Sequence, residues 1–435
     1  MSLIFSRLEK RITKLQKKIA PIAAKIEQQR HLASIKNGVK DLTFILLVGS
    51  FFLMVYILCN YLESVFGMTL ISNMQILRMP IQLTFGMLSI YAAITVSYRH
   101  AKSYDMPILI PIFSSILVTG IAAGAINLNG IDLEQLNSKG FLLAILLSLL
   151  IVEIYNKFLQ YEARGILRKV PEGSIYTMKI LFPIIILSSV FLLINDLFNH
   201  FTGYSNGLDF VFSILLSEIS SIDTPIMVFI IVFIEMLFWY IGINGYAVLA
   251  SFVLPISTFY LAENVKLTMS GQEAEYIFTP NFWDYFASLT GSGLVGALVV
   301  LALFSKLDSI RSTGKTSVIP SIFSISEPIL YGLPICFNIY LFIPFVIGTP
   351  ILATLQWYVF KWGWVNIPIV HVADAPTPFA QVISTMDFRA IILILVIFIL
   401  AVAMYYPFFK MYEKSVEKQK EKEQDSRFDD LDLDF

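Results

Sequence analysis

The sequence predicts an all-α integral membrane protein with about ten transmembrane helices. Hydrophobic residues make up 57% of the 435 residues and charged residues only 14%, a composition far from that of soluble domains. Many apolar runs reach the roughly 20 residues that a helix needs to cross a hydrocarbon core of about 30 Å. The net charge of −1 gives no reason to expect a nucleic-acid partner. The natural surroundings of this chain are therefore expected to be the lipid bilayer.

The spans follow from apolar runs, and the orientation follows from the loops between them. Residues 1–40 are rich in Lys and Arg, and basic residues also follow the second and fourth spans. Because cytoplasmic loops carry an excess of Lys and Arg, the N-terminus is expected inside, and ten crossings return the C-terminus to the same side. The predicted spans are 43–62, 79–98, 107–128, 140–159, 179–198, 226–243, 245–262, 285–305, 338–356 and 388–409.

These spans divide the chain into a regular first half and an irregular second half. Residues 1–40 form a basic amphipathic helix, which either lies on an anionic leaflet or packs against a partner protomer. Residues 206–225 carry Asp209 and Glu218 in a short apolar stretch, which favours an interfacial linker helix. The predicted domains are a five-span domain at 41–205, a second domain at 226–410 and a charged cytoplasmic tail at 411–435.

Two stretches of the second half are too polar and too rich in Gly and Pro to face lipid. They lie at 316–337 and 363–387, and we expect each to form a re-entrant hairpin. Irregular backbone at membrane depth is tolerated only where protein or a watered cavity satisfies its amides. The two hairpins therefore predict the place of a substrate site.

Glu327 is the strongest candidate functional residue, because it lies in the apolar segment FSISEPILYGLP. An ionisable side chain in such surroundings is costly unless it is paired or wetted. A carboxylate can accept hydrogen bonds from two neighbouring sugar hydroxyls, and it can take the proton of a hydroxyl that attacks a phosphoryl group. The segment Ser326-Glu327-Pro328 also resembles an ordinary helix start, so a capping role remains open.

Glu235 and Trp239 lie one helical turn apart in another apolar span. A carboxylate beside an indole suggests a lined cavity, although pairing of Glu235 with a Tyr or Asn of a neighbouring helix explains it equally well. A proton- or sodium-coupled carrier using Glu327, Glu235 or Glu153 also remains open. The four histidines, His31, His100, His200 and His371, do not show the spacing of metal ligands. The sequence also has no phosphate loop and no nucleotide motif, so no cofactor is expected.

Several stretches resemble enzyme IIC of the bacterial phosphotransferase system, in its lactose, cellobiose and N,N'-diacetylchitobiose branch. The most specific stretch ends in a Glu-Pro that implies sugar binding, and possible base action, for Glu327. The family's Trp in an FW-x-x-GIHG-like segment falls on Trp239, which implies contact with the sugar. The similar stretches are QQRHLASIKNGV at 28–39, LLVGSFFLMV at 46–55, FWYIGING at 238–245 and SKLDSIRSTGKTSVIPSIFSISEPILYGLPICFN at 305–338.

The chain departs from the family pattern at three positions. The family's His falls on Asn244, the Asn before Glu-Pro falls on Ser326, and the Trp of a PWTTPP-like motif falls on Ala375. An amide can bind a hydroxyl but cannot exchange a proton near neutral pH as an imidazole does. The implied substrate site is therefore Glu327, Trp239, Asn244, Ser326 and Glu235, with an altered chemistry.

The resemblance implies a membrane permease subunit that carries an oligosaccharide, such as a β-glucoside disaccharide, for phosphorylation by a separate IIB subunit. It further implies a IIA partner, a homodimer in the bacterial plasma membrane, a scaffold first half and an elevator-type transport second half. The chain has no domain of its own that supplies the phosphoryl group, so its status as an enzyme depends on that complex. The alternatives are a related transporter that moves a different solute without phosphorylation and a non-transporting membrane sensor.

Overall fold

The computed structural model describes residues 21–71, 73–127, 130–132, 135–160, 171–202 and 222–429. Helices dominate these residues, and the only strands among them form a ribbon of two residues each, Ile126–Asn127 and Gly130–Ile131. The predicted linker at 206–225 and the basic residues 1–20 lie largely or wholly outside the described part of the chain. The all-helical expectation is therefore confirmed for the part that is described.

The described part of the first half contains seven helices beyond Gln29. Residues 21–28 are helical, and Gln29 caps the next helix by accepting a hydrogen bond from Leu32 N at 2.6 Å. Beyond Gln29 the helices are α1 Arg30–Asp41, α2 Thr43–Phe66, α3 Gln75–Thr84, α4 Leu88–Lys102, α5 Leu109–Ala122, α6 Ser138–Gln160 and α7 Glu172–Thr202, with a 3-10 turn at Phe85–Met87.

The second half is broken more often. Its two π-helical turns, Phe282–Ala287 and Ile343–Gly348, interrupt the regular pattern, as such turns do at functional places. Its helices are α8 Pro225–Tyr240, α9 Gly245–Met269, α10 Gly296–Leu303, α11 Asp308–Ile322, α12 Glu327–Gly332, α13 Ile339–Phe342, α14 Thr349–Lys361, α15 Thr377–Thr385 and α16 Arg389–Asp429.

Seven helical segments of the described chain are long and apolar enough to cross a membrane. Two shorter apolar helices, Leu109–Ala122 and Pro225–Tyr240, coincide with two further predicted spans, so the number of crossings is not fixed at ten. The seven are Arg30–Phe66, Gln75–Lys102, Ser138–Gln160, Gly173–Phe201, Gly245–Met269, Ile339–Lys361 and Arg389–Glu421.

The predicted span 285–305 is not a continuous helix, and this expectation was wrong. A π-helical turn ends at Ala287 and α10 begins only at Gly296. Between them Gly291 and Gly293 have φ values of +106° and +87°, which a helix cannot contain. A Cβ on Gly293 would also overlap the ring of Phe345, so glycine is required there for space as well as for conformation.

The two predicted hairpin regions contain turns and short helices that contact each other. In the first region α11 ends at Ile322, the chain turns through Ser324 at φ +59°, and α12 begins at Glu327. In the second region an irregular segment leads into α15. The Ser324 and Thr377 hydroxyl oxygens lie 2.8 Å apart, and Thr377 Oγ1 donates to Ile322 O at 3.0 Å. These hydrogen bonds hold the two turns side by side.

Polar contacts between described residues join the two halves of the chain. The backbone N–H of His371 donates to Ser50 Oγ at 2.7 Å, and Arg78 Nη2 donates to Met269 O at 2.6 Å. Ser138 Oγ donates to a carboxylate oxygen of Glu263. The halves therefore meet along α2, α3, α6 and α9 beside the contacting turns.

Candidate functional site

A cavity of about 600 Å³ lies where the first half meets the broken helices of the second. Its volume falls within the roughly 300–1,000 Å³ typical of small-molecule sites. The first half contributes residues near the α1–α2 junction, and both predicted hairpin regions contribute their turns. Its polar and aromatic lining consists of Lys40, Thr43, Trp239, Asn244, Tyr246, Thr258, Asp284, Tyr285, Ser288, Ser292, Phe323, Ser324, Ser326, Glu327, His371 and Asp374.

Glu327 and Ser326 lie together in the cavity wall at the start of α12. The Glu327 side chain is exposed, and its carboxylate has no hydrogen-bond or ion-pair partner among the described residues. Pro328 at the first turn fixes the helix start, as Pro does at this position. The carboxylate oxygens are thus free to accept hydrogen bonds from a ligand.

Trp239 and Asn244 lie at the end of α8 and the start of α9, and both line the cavity. Trp239 is only 3% exposed, and its indole nitrogen makes no hydrogen bond of normal geometry within the described chain. Asn244 caps α9, because its Oδ1 accepts a hydrogen bond from Ala247 N at 2.8 Å. Asn244, which was predicted as a ligand contact, therefore also stabilises the start of α9.

Glu235 does not line the cavity. It is 0% exposed, and it accepts hydrogen bonds from Trp283 Nε1 at 2.7 Å and from Ser292 Oγ at 3.0 Å. Ser292 lines the cavity, and Trp283 stacks on the cavity residue Tyr246 with ring centroids 4.4 Å apart. Glu235 therefore supports the wall from behind, and its partner is an indole that lies 48 residues away in the sequence.

The sequence interpretation missed one histidine and three Lys or Asp residues of the cavity lining. His371 is the most informative, because its Nδ1 lies 3.1 Å from Asn281 Oδ1 while its Nε2 is buried without a partner among the described residues. Its position inside the predicted hairpin at 363–387 was the one available signal, since no sequence spacing ties it to the rest of the site. The other three are Lys40, Asp284 and Asp374.

Asp387 anchors the end of the second hairpin region outside the long spans. Its carboxylate accepts hydrogen bonds from Asn366 N at 3.0 Å and from Arg389 Nε at 2.9 Å. Burial alone would raise the pKa of Asp387, but the hydrogen bonds from Arg389 and Asn366 outweigh it and lower that pKa. The irregular segment between these residues is thus tied at both ends.

A second polar cluster lies away from the cavity. Glu153 Oε1 lies 2.9 Å from His31 Nε2 and 3.1 Å from His100 Nε2, and Tyr104 donates a hydrogen bond to it at 2.5 Å. The His100 ring also contacts Ser34 Oγ at 3.0 Å. His31 and Ser34 lie on α1, His100 on α4, Tyr104 in the turn after α4, and Glu153 on α6, so sequence spacing gave no sign that they meet. Their mutual hydrogen bonds join three helices of the first half.

The fold is that of a multi-span helical membrane protein with a cavity at the junction of its halves. The model of the family described as "Phosphotransferase system, EIIC" matches residues 44–349. The chain therefore belongs to the EIIC family of the phosphotransferase system, as the resemblance implied.

Three relatives of known type are similar over nearly the whole chain. The lichenan permease IIC component of Bacillus subtilis is 28% identical, and the alignment covers 93% of this chain and 94% of the relative. The cellobiose-specific EIIC component of Geobacillus stearothermophilus is 27% identical, with 94% and 95% covered. The lactose-specific EIICB component of Staphylococcus epidermidis is 27% identical, with 91% of this chain but 70% of that longer protein covered.

A solved structure has the same fold. The crystal structure of the transporter ChbC, the IIC component of the N,N'-diacetylchitobiose-specific phosphotransferase system, matches with a TM-score of 0.81 and 26% identity. The match covers 93% of this chain and 99% of ChbC. This chain is accordingly a multi-span membrane permease component of a sugar phosphotransferase system.

Proposed function

We propose that this permease binds an oligosaccharide, with a disaccharide such as a β-glucoside as the favoured class, in the cavity between its halves. The observation that carries the proposal is the unpartnered Glu327 carboxylate in a cavity of about 600 Å³. Such a carboxylate can accept two hydrogen bonds from adjacent hydroxyls of a sugar ring. The names of the lichenan-, cellobiose- and chitobiose-specific relatives support the same substrate class.

The site residues have distinct proposed roles. Glu327 binds the sugar and accepts the proton of the hydroxyl that attacks the phosphoryl donor. Trp239 offers an apolar face to a sugar ring, while Asn244 and Ser326 bind hydroxyls. Glu235 acts indirectly, because it holds Ser292 and Trp283 in the wall behind the cavity.

The phosphoryl group comes from partner proteins in this proposal. IIB and IIA subunits act on separate chains, whereas in lactose-specific relatives the name EIICB joins the C and B parts in one protein. The permease works as a homodimer in the bacterial plasma membrane, with both termini in the cytoplasm. Residues 41–205 serve as the scaffold, and residues 226–410 move the bound sugar as an elevator.

The substitution Glu327→Gln tests the site. It keeps the size of the side chain but replaces an acceptor-only carboxylate by an amide, so saccharide affinity is expected to fall about tenfold or more. Purified wild-type and variant permease are titrated with cellobiose, lactose and N,N'-diacetylchitobiose by calorimetry. Glu273→Gln is the matched control, because Glu273 is exposed and does not line the cavity.

Vesicle assays then separate the classes of function. Accumulation of sugar phosphate that requires phosphorylated IIB supports the proposed permease. Uptake without phosphorylation supports the alternative transporter, and binding without any flux supports the sensor. Unchanged saccharide affinity in Glu327→Gln would remove this residue from the site.

A further inference from the structure

The second hairpin region places an imidazole in the wall of the substrate cavity. His371 is 7% exposed and lines the same cavity as Ser326 and Glu327 at the start of α12. Its backbone N–H is bonded to Ser50 Oγ on α2, so the position of this residue is fixed from the first half. The ring itself is held by a different partner, Asn281.

The hydrogen bonds around Asn281 determine which ring nitrogen of His371 carries the proton. Asn281 Nδ2 donates to Val372 O at 3.0 Å, so the amide presents its oxygen to the ring. Because Asn281 Oδ1 can only accept, His371 Nδ1 must donate across the 3.1 Å contact. Burial disfavours a charged ring, and a neutral ring protonated at Nδ1 has a free lone pair on Nε2.

Nε2 of His371 is a buried acceptor with no partner among the described residues. Leaving a buried polar atom unpaired costs roughly 1–3 kcal/mol, so native proteins rarely keep one without a reason. A hydroxyl of a ligand in the adjoining cavity would supply the missing donor. A site built in this way also rejects analogues that lack that hydroxyl.

We propose that His371 is a specificity-determining residue of the cavity, whose Nε2 accepts a hydrogen bond from one hydroxyl of the bound saccharide. This inference rests on the proposed function and adds a hydroxyl acceptor to it. The carboxylate of Glu327 and the imidazole of His371 then accept hydrogen bonds from different hydroxyls of the same ligand.

Two substitutions separate a binding role from a structural one. In His371→Asn the amide nitrogen can still donate to Asn281 Oδ1, but no atom remains at the place of Nε2. In His371→Gln the longer side chain can place its amide oxygen near that position. Both variants keep the backbone bond to Ser50. We expect His371→Asn to lower saccharide affinity about tenfold, and His371→Gln to retain more of it.

The experiment is calorimetric titration of full-length wild type and both variants with cellobiose and its monodeoxy derivatives, and with N,N'-diacetylchitobiose. One monodeoxy sugar is expected to bind wild type about tenfold more weakly than its parent, and His371→Asn to bind the two equally. The ligand-free melting temperature of His371→Asn is expected to be no lower than that of wild type, because the Asn281 contact is kept and the unpaired Nε2 is removed.

The outcomes separate this inference from the proposed function. If wild type binds cellobiose or N,N'-diacetylchitobiose and His371→Asn binds it equally well, the role of His371 is overturned and the permease proposal stands. If His371→Asn weakens every monodeoxy sugar by the same factor as the parent, Nε2 reads no hydroxyl and the inference also fails. If wild type binds none of the sugars, both proposals fall.

Discussion

At the scale of single residues, the cavity combines groups that line it with groups that are buried behind its wall. Glu327 is exposed and unpartnered within the described chain, whereas Glu235 is buried and bonded to Trp283 and Ser292. The two carboxylates look alike in the sequence, because both are acidic residues in apolar segments. Their surroundings differ, and so do the roles proposed for them.

The supporting role of Glu235 makes a separate prediction. Glu235→Ala leaves the Trp283 N–H and the Ser292 O–H without their buried acceptor, which is expected to lower the free energy of unfolding by about 2 kcal/mol or more. Unfolding of the purified protein in mixed micelles measures this loss. Glu235→Gln keeps an acceptor oxygen and serves as the control. A stability equal to that of wild type in Glu235→Ala would contradict the supporting role.

The sequence identified four of the cavity residues but not His371. Glu327 stands out because a carboxylate interrupts an apolar run, whereas Ser326 and Asn244 were assigned through the resemblance to enzyme IIC, which also pointed to Trp239. His371 has no such signal. Its chemistry depends on Asn281, which is 90 residues away and comes close only through the packing of broken helices.

At the scale of elements, apolar runs predict most long helices but not where a helix breaks. The run at 285–305 is apolar enough for a span, yet its glycines adopt positive φ values and the chain unwinds between Ala287 and Gly296. A hydropathy pattern does not predict this break, because it depends on the close approach of Gly293 to the ring of Phe345. The polar interruptions at 316–337 and 363–387 were the better guide to irregular backbone.

The proposed elevator motion requires the contacts between elements of the two halves to rearrange. The carboxylate of Glu263 on α9 in the second half accepts a hydrogen bond from Ser138 on α6 in the first half. The test first replaces the two native cysteines by Cys59→Ser and Cys336→Ser. It then introduces Ser138→Cys and Glu263→Cys and joins these two cysteines with a short thiol-reactive cross-linker. We expect sugar uptake into vesicles to stop and saccharide binding to remain, because the cavity is formed before the motion.

Each single cysteine variant treated with the same reagent is the control for that cross-link. Uptake at the wild-type rate after complete cross-linking would show that α6 and α9 stay together during transport. The elevator assignment of residues 41–205 and 226–410 would then be abandoned, although the cavity and its ligand would be unaffected.

At the scale of the whole molecule, the site exists only because two dissimilar halves meet. The first half brings Lys40 and Thr43 to the cavity and tethers His371 through Ser50, while the second half brings the turns and the aromatic wall. A junction of this kind can bind a ligand in one arrangement of the halves and release it in another. The contrast between regular and broken halves was visible in the sequence, but the pairing of their surfaces was not.

The most direct test of the account is a structure of the full-length permease determined with the tightest-binding saccharide of the titrations. We predict a sugar between the two hairpin turns, with a hydroxyl within about 3.2 Å of a Glu327 carboxylate oxygen and a ring beside Trp239. A saccharide bound elsewhere in the protein, with Glu327 facing only water or protein, would contradict the central claim.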